Sequence, residues 1–119
     1  MTRARQAVGA YGERCAVRHL VDAGMTVVAR NWRSDLGEID IVARDGEILA
    51  FCEVKTRRGT TFGAPAEAVG RSKARRLRRL AARWLELHET RPREVRFDVV
   101  EVFVPPSGAA RVEHIRAAF

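Results

Sequence analysis

Residues 37–56 read GEIDIVARDGEILAFCEVKT, and the alternation within this stretch decides the fold. Apolar and polar residues alternate on both sides of Asp45-Gly46, which is a strong signal for a two-residue hairpin turn. The pattern therefore predicts an antiparallel β-hairpin with strands over Gly37–Arg44 and Glu47–Thr56.

The position of that turn also predicts which side chains lie together. It places Asp40 opposite Phe51 and Glu38 opposite Glu53, and residues directly opposite each other share a face of the sheet. Asp40 and Glu53 are then diagonal neighbours, with Cα atoms roughly 7–8 Å apart. The same face carries Lys55, whereas the other face of the hairpin is wholly apolar.

Carboxylates paired in this way are a candidate metal site. Like charges at close range raise each other's pKa and weaken strand pairing, and a divalent cation removes that cost. Mg²⁺ takes oxygen ligands at about 2.0–2.1 Å and commonly binds one or two carboxylates. Asp40 and Glu53 could therefore hold Mg²⁺ or Mn²⁺, and Lys55 would direct its ammonium at a bound water or phosphate. The alternative is an amphipathic hairpin whose outer face carries ordinary charges.

A further carboxylate, Glu13, interrupts the small and apolar stripe of a predicted N-terminal helix. On that helix Glu13 falls near the same stripe as Gly9, Ala16 and Leu20. A buried carboxylate needs a partner. Glu13 therefore either reaches the hairpin site and helps to hold the metal, or pairs with an arginine at the edge of the helix.

These motifs resemble a known family. GEID at 37–40, EVKTR at 53–57 and NWR at 31–33 look like the YraN family of small bacterial proteins. That family is placed in the PD-(D/E)xK endonuclease superfamily, near the archaeal Holliday junction resolvases. The resemblance covers nearly the whole chain.

The resemblance implies both an activity and roles for residues. By it, Asp40 and Glu53 would be metal ligands, Lys55 the catalytic lysine, and Glu13 the helix-borne carboxylate that completes the site. The implied function is a Mg²⁺- or Mn²⁺-dependent endonuclease that acts on DNA, including branched or flapped structures. A resolvase-like protein is also expected to work as a homodimer.

A second predicted feature is a basic helix over Ser72–Glu89, with Ser72 as its N-cap. Seven cations and no acid lie between Arg71 and Arg83. The apolar stripe expected to pack on the sheet is Leu77, Leu80, Ala81, Trp84 and Leu87. The candidate nucleic-acid contacts are Arg71, Lys73, Arg75, Arg76 and Arg79, with Arg57 and Arg58 just after Lys55. Such a face attracts a phosphate backbone and makes binding salt-dependent. The alternatives are a solvated helix face or a surface that docks an acidic protein.

Composition restricts the class of protein. A chain of 119 residues with 46% apolar content predicts a single globular domain over 1–119. The sequence contains neither an apolar run long enough to span a bilayer nor a signal peptide, so we expect a cytoplasmic protein without membrane contact. Cys15 and Cys52 are expected as buried thiols. The scattered residues His19, His88 and His114 do not have zinc-site spacing.

The remaining patterns complete the predicted order α-β-β-β-α-β-β. They are a helix over 5–23, a strand over 25–33, a loop over 57–65, a short helical turn over 66–69, a strand over 95–104, a turn over 105–108 and an edge strand over 111–115. This order predicts an α/β fold with a mixed β-sheet flanked by helices. The resemblance implies that this fold is restriction-endonuclease-like. The competing function is a non-catalytic nucleic-acid-binding module on the same fold.

Overall fold

The computed structural model describes residues 3–58 and 70–119, with side chains from residue 6 onward. The described elements, in chain order, are α1 (Arg3–Asp22), β1 (Thr26–Ser34), β2 (Gly37–Asp45), β3 (Ile48–Arg58), α2 (Arg71–Leu87), β4 (Glu94–Val104) and β5 (Arg111–Ile115). The predicted order α-β-β-β-α-β-β is confirmed. The short helical turn predicted over 66–69 lies outside the described residues.

The described strands form one mixed sheet in the order β1-β2-β3-β4-β5. Neighbouring strands are antiparallel except for β3 and β4, which run parallel. A parallel pair needs a long crossover connection, and α2 lies within that connection. The last strand, β5, is at the edge of the sheet, as predicted.

Two separate cores cover the two faces of the sheet. On one face α1 packs Ala16 and Leu20 against residues that include Ile41 and Cys52. On the other face the predicted stripe of α2 packs against β2 and β3, with Trp84 edge-on to Phe51 at 5.9 Å between ring centroids. Full burial of each large apolar side chain contributes about 1.5–3 kcal/mol. The central strands are therefore held from both sides, and the site described below lies at one end of this rigid sheet.

The hairpin turn lies one residue later than predicted. Asp45 is the last residue of β2 and pairs with Ile48, so the turn residues are Gly46 and Glu47. Gly46 has a φ of 63°, which suits the first central position of a type II′ turn. Asp45 is kept in the strand because its carboxylate accepts a hydrogen bond from Arg96 of β4 at 3.0 Å.

The predicted cross-strand partners are wrong as a result. Phe51 lies opposite Val42 rather than Asp40. Glu38 pairs with Arg33 on the other side of β2, and the described pairing of β2 with β3 ends at Ile41, before Glu38. The pairing of β2 with β3 is shifted by two residues, so the alternation along β3 is preserved. If the observed register is continued past Ile41 and Cys52, Asp40 falls next to Glu53 instead of diagonal to it.

Several local predictions are also corrected. The N-cap of α2 is Gly70 without a side-chain cap, so Ser72 lies inside the first turn. Arg57 and Arg58 belong to β3 rather than to a loop, because β3 stays paired with β4 as far as Arg58. Leu87, predicted in the apolar stripe, is 62% exposed.

Of the two cysteines, Cys52 is buried as expected, whereas Cys15 is only partly buried. Neither described helix combines the length and the apolar character that crossing a membrane requires.

Candidate functional site

The described backbone pairing of the two hairpin strands ends next to Asp40. Regular pairing runs from the turn as far as Ile41 opposite Cys52. Continuing that register would place Asp40 opposite Glu53. At this position, however, the Asp40 side chain makes the described hydrogen bond to β3. The Asp40 Oδ2 atom accepts the backbone N–H of Val54 at 2.8 Å. The Asp40 carboxylate is therefore fixed against β3 at Val54, the residue that follows Glu53.

The alternation of β2 breaks at the same point. Ile39 packs with Val42 in the core beneath α2, whereas Ile41 packs in the core beneath α1. Residues three apart cannot share a face in a regular strand, so the prediction that Ile39 and Ile41 lie on one apolar face is wrong. On the neighbouring strand Asn31 has a φ of 51°, a left-handed conformation that Asn tolerates better than most residues. Backbone irregularity of this kind often marks a functional site.

The Asp40 carboxyl is in an electrostatically unfavourable position. Burial raises its pKa to about 7, with a further contribution from the charge of Glu53. The hydrogen bond from Val54 lowers the pKa, but Glu38 and Glu13 raise it again. Four carboxylates therefore act on one another at the open end of the hairpin, which is an environment that favours a cation.

Glu13 reaches this region because α1 packs unusually closely on β3. A Cβ atom at Gly12 would lie 2.0 Å from Oγ1 of Thr56, so only glycine permits the approach. Glu13 and Asp40 line the same cavity of about 290 Å³. The Glu13 Oε1 atom is buried there without a hydrogen-bond partner. Burial raises the pKa of Glu13, although Arg30 and Asn31 oppose that shift.

The Glu53 carboxylate faces α2. Its Oε1 atom lies 2.5 Å from Nζ of Lys73 and 3.7 Å from Nζ of Lys55. Hydrogen bonding to Lys73 and partial burial lower the pKa of Lys55. Asp40, Glu53 and Lys73 line a second cavity of about 240 Å³. Asp40 thus lies between two cavities, one beside α1 and one beside α2.

The carboxylate oxygens at this site can be compared with the ligands that a metal ion requires. Within residues 3–58 and 70–119, no three Asp, Glu, His or Cys side chains form a ready-made metal cluster. Asp40, Glu53 and Glu13 nevertheless carry carboxylate oxygens, which is the type of donor that Mg²⁺ and Mn²⁺ take. Both ions take oxygen ligands, and Mg²⁺ commonly uses one or two carboxylates while water and phosphate fill the other positions.

Sequence comparison gives the family. The family model described as "Uncharacterised protein family UPF0102" matches residues 12–102. The chain belongs to the UPF0102 family. This is the YraN family that the motifs resemble.

Relatives match over nearly their whole length. A UPF0102 protein of Salinispora arenicola is 63% identical over 119 residues, which are 100% of both chains. One from Beutenbergia cavernae is 61% identical over 114 residues, 96% of this chain and 97% of the relative. One from Frankia alni is 58% identical over 117 residues, 98% of both. UPF0102 membership assigns no activity, so function must be inferred from the site.

The basic surface of this UPF0102 protein is continuous with the site. Arg71, Arg75, Arg78 and Arg79 are exposed on α2. Arg76 lines the cavity beside Asp40 and approaches Gly37. Along β3 the charges are arranged differently: Arg57 forms an ion pair with the buried Glu101, and Arg58 is exposed at the end of the strand. The predicted phosphate contacts on α2 therefore adjoin the carboxylates, whereas the charge of Arg57 is partly compensated.

The contact of Lys73 with Glu53 was not predicted from the sequence. Lys73 was predicted only as a phosphate contact on the helix, but it makes the shortest contact with Glu53. The available signal was composition, because only two of the 22 basic residues are lysines. Those two are Lys55 and Lys73, and both lie at Glu53.

Proposed function

We propose that this protein is a metal-dependent endonuclease that hydrolyses phosphodiester bonds in DNA, including branched or flapped structures. The observation that carries the proposal is the arrangement at the open end of the hairpin. Asp40 accepts the backbone N–H of Val54, its carboxyl feels the charge of Glu53, and Lys55 lies 3.7 Å from Glu53 on the same strand. Buried carboxylates held at close range, with a lysine beside them, match what phosphodiester hydrolysis requires of a protein.

Each side chain has a role in this proposal. Asp40 and Glu53 would hold Mg²⁺ or Mn²⁺, and Glu13 would add its unpartnered oxygen from α1. The bound ion would supply Lewis-acid stabilisation and lower the pKa of a water molecule. Lys55 would neutralise negative charge on the phosphate as it develops, because its ammonium lies within 3.7 Å of Glu53.

The basic face of α2 would hold the substrate. Its exposed arginines lie next to the cavity that Asp40, Glu53 and Arg76 line. Contacts with phosphates would position the DNA without reading its sequence. A homodimer, as expected for a resolvase-like protein, would present two such sites to a branched substrate.

The test is cleavage of labelled linear, flapped and four-way-junction DNA with Mg²⁺, Mn²⁺ or EDTA. We expect cleavage with either metal and none with EDTA. Asp40→Asn and Lys55→Ala should each lower the rate by about a hundredfold or more. Glu47→Gln, at the exposed hairpin turn on the opposite end of the strands, is the matched control and should cleave normally. Folded protein that cuts none of these substrates with either metal would contradict the proposal.

A second candidate is a nucleic-acid-binding module that retains the fold without catalysis. The observation that favours it is the exposed basic face of α2, which needs no metal to attract a phosphate backbone. This function predicts salt-sensitive DNA binding, no metal-dependent cleavage, and binding unchanged by Asp40→Asn. The cleavage experiment therefore separates the two candidates.

A further inference from the structure

The two lysines of this chain meet at one carboxylate. The other 20 basic residues are arginines and are spread along the whole sequence. Lys55 comes from β3 and Lys73 from the first turn of α2, yet both ammonium groups contact Oε1 of Glu53. Lysine presents a compact charge on a flexible stem, whereas arginine presents a rigid planar fork. The two positions at which this chain has lysine instead of arginine are therefore the two whose side chains contact Glu53. A compact and flexible cation suits this partly buried position.

Lys73 differs from its neighbours on α2 in where it points. Arg75, Arg78 and Arg79 are exposed, whereas Lys73 is partly buried and lines the cavity with Asp40 and Glu53. The side chain of Glu53 is only 10% exposed, and that of Lys73 is 38% exposed. A nearly buried carboxylate is costly without a charged partner, and Lys73 is the nearer of the two lysines that supply one to Glu53. Lys73 itself retains a path to solvent and to an incoming substrate.

The Glu53 carboxylate cannot bind a divalent ion and the Lys73 ammonium equally well at the same time. If Glu53 binds a divalent ion, the ammonium of Lys73 at 2.5 Å is repelled by that ion and loses its hydrogen-bond acceptor. The side chain is then free to pair with another anion, and the nearest anion in a complex would be the substrate phosphate. Lys55, at 3.7 Å, is already less closely bound to Glu53.

We propose that Lys73 is a second functional lysine of this site, which holds Glu53 in the metal-free protein and binds the substrate phosphate once a divalent ion takes its place. This role rests on the proposed metal site and extends it. It separates Lys73 from the arginines of α2, which would contact DNA whether or not a metal is bound.

The test measures Mn²⁺ affinity and DNA cleavage separately in the full-length chain. Lys73→Met removes the charge but keeps an unbranched side chain. We expect it to bind Mn²⁺ more tightly in the absence of DNA, by roughly fivefold, because no ammonium competes for Glu53. We expect the same variant to cleave DNA more slowly than the wild type. Lys73→Arg should retain Mn²⁺ affinity near that of the wild type, since it keeps the competing charge.

The matched control is Arg75→Met, which removes an exposed cation two residues away on the same helix. It should leave Mn²⁺ affinity unchanged and weaken only DNA binding. Mn²⁺ affinity that is unchanged or weaker in Lys73→Met would overturn the role of Lys73, even if the wild type cleaves DNA. Tighter Mn²⁺ binding by Lys73→Met in a protein that cleaves nothing would support the exchange at Glu53 and contradict the nuclease. Absence of Mn²⁺ binding by the wild type would overturn the role as well.

Discussion

Two aspartates in the central strands, Asp98 and Asp40, have opposite surroundings. Asp98 on β4 is fully buried and fully partnered. Arg96 donates two hydrogen bonds to its carboxylate at 2.8 and 2.9 Å, His114 Nε2 donates one at 2.7 Å, and the backbone N–H of Ala117 donates another at 3.0 Å. Burial alone would raise the pKa of Asp98, but these bonds outweigh it and the pKa is lowered.

Asp40 on β2 has almost none of this support. Its described hydrogen bond comes from the backbone of Val54, and its near neighbours include the carboxylates of Glu53, Glu38 and Glu13. Burial and those charges raise its pKa to about 7. One sheet thus contains a buried aspartate with both oxygens hydrogen-bonded and another whose pKa is raised by burial and by neighbouring carboxylates.

The difference shows that the surroundings of Asp40 do not result from a general lack of partners. The chain has 22 basic residues, and at Asp98 it places an arginine and a histidine at hydrogen-bonding distance. The Asp98 cluster joins β4 to β5 and, through Arg96 and Asp45, to the hairpin turn. It is structural. The Asp40 cluster also links elements, since Asp40 accepts the N–H of Val54 and Glu53 pairs with Lys73 of α2. It differs in that its carboxylates act on one another and raise the pKa of Asp40.

The largest expected effect is at the structural aspartate. Asp98→Asn should lower the free energy of unfolding by about 3–5 kcal/mol, because Arg96 and His114 lose the charge that they both contact in a buried position. Chemical denaturation at neutral pH measures this directly. A loss below about 1 kcal/mol would mean that the Asp98 cluster contributes little, and the contrast with Asp40 would disappear.

The second expected effect is a gain in stability, when Asp40 is replaced by asparagine. Between the unfolded pKa of aspartate, about 4, and the folded value near 7, folded Asp40 keeps a proton that the unfolded chain has released. Stability therefore falls as the pH rises through this window, and the loss is complete above pH 7. Asp40→Asn removes that loss, because an amide oxygen can still accept the N–H of Val54 without carrying a charge. We expect the variant to be more stable than the wild type by about 3–4 kcal/mol at pH 8 and equal to it near pH 4.

Denaturation curves of the two proteins from pH 4 to pH 8 provide the measurement. Asp98→Asn is the matched control, since the lowered pKa of Asp98 predicts stability that is lost as the pH falls through the acidic range. If the stability of the wild type and of Asp40→Asn changed in parallel with pH, the pKa of Asp40 would not be raised in the folded protein.

Much of the fold and part of the site could be predicted from the sequence, because those features depend on local patterns. Alternation along residues 37–56 is enough to predict the hairpin and to bring Asp40, Glu53 and Lys55 to its open end. The helical period of α2 predicts its buried stripe, except at its last turn. In each case the signal lies within one or two neighbouring elements.

The features that could not be predicted depend on contacts between distant segments. Asp45-Gly46 and Gly46-Glu47 are both acceptable turns by sequence, and the bond from Arg96 to Asp45 spans 51 positions. The break in alternation at Asp40 lies beside a second irregularity, the left-handed Asn31 of the neighbouring strand. The exact approach of α1, and with it the position of Glu13, depends on how closely a glycine of α1 packs against β3.

The smallest expected effect tests which neighbouring groups raise the pKa of Asp40. Burial is the leading cause of its raised pKa, followed by Glu53, whereas Glu13 is the weakest of the named carboxylates. Glu13→Gln should therefore lower the pKa of Asp40 only slightly, as followed by NMR titration of the Asp40 side-chain carboxyl carbon. Glu47→Gln, at the far turn, should leave the titration unchanged. A fall of more than one unit in Glu13→Gln would show that the carboxylate from α1 is a principal cause of the raised pKa, and that the site is built as much by the helix as by the hairpin.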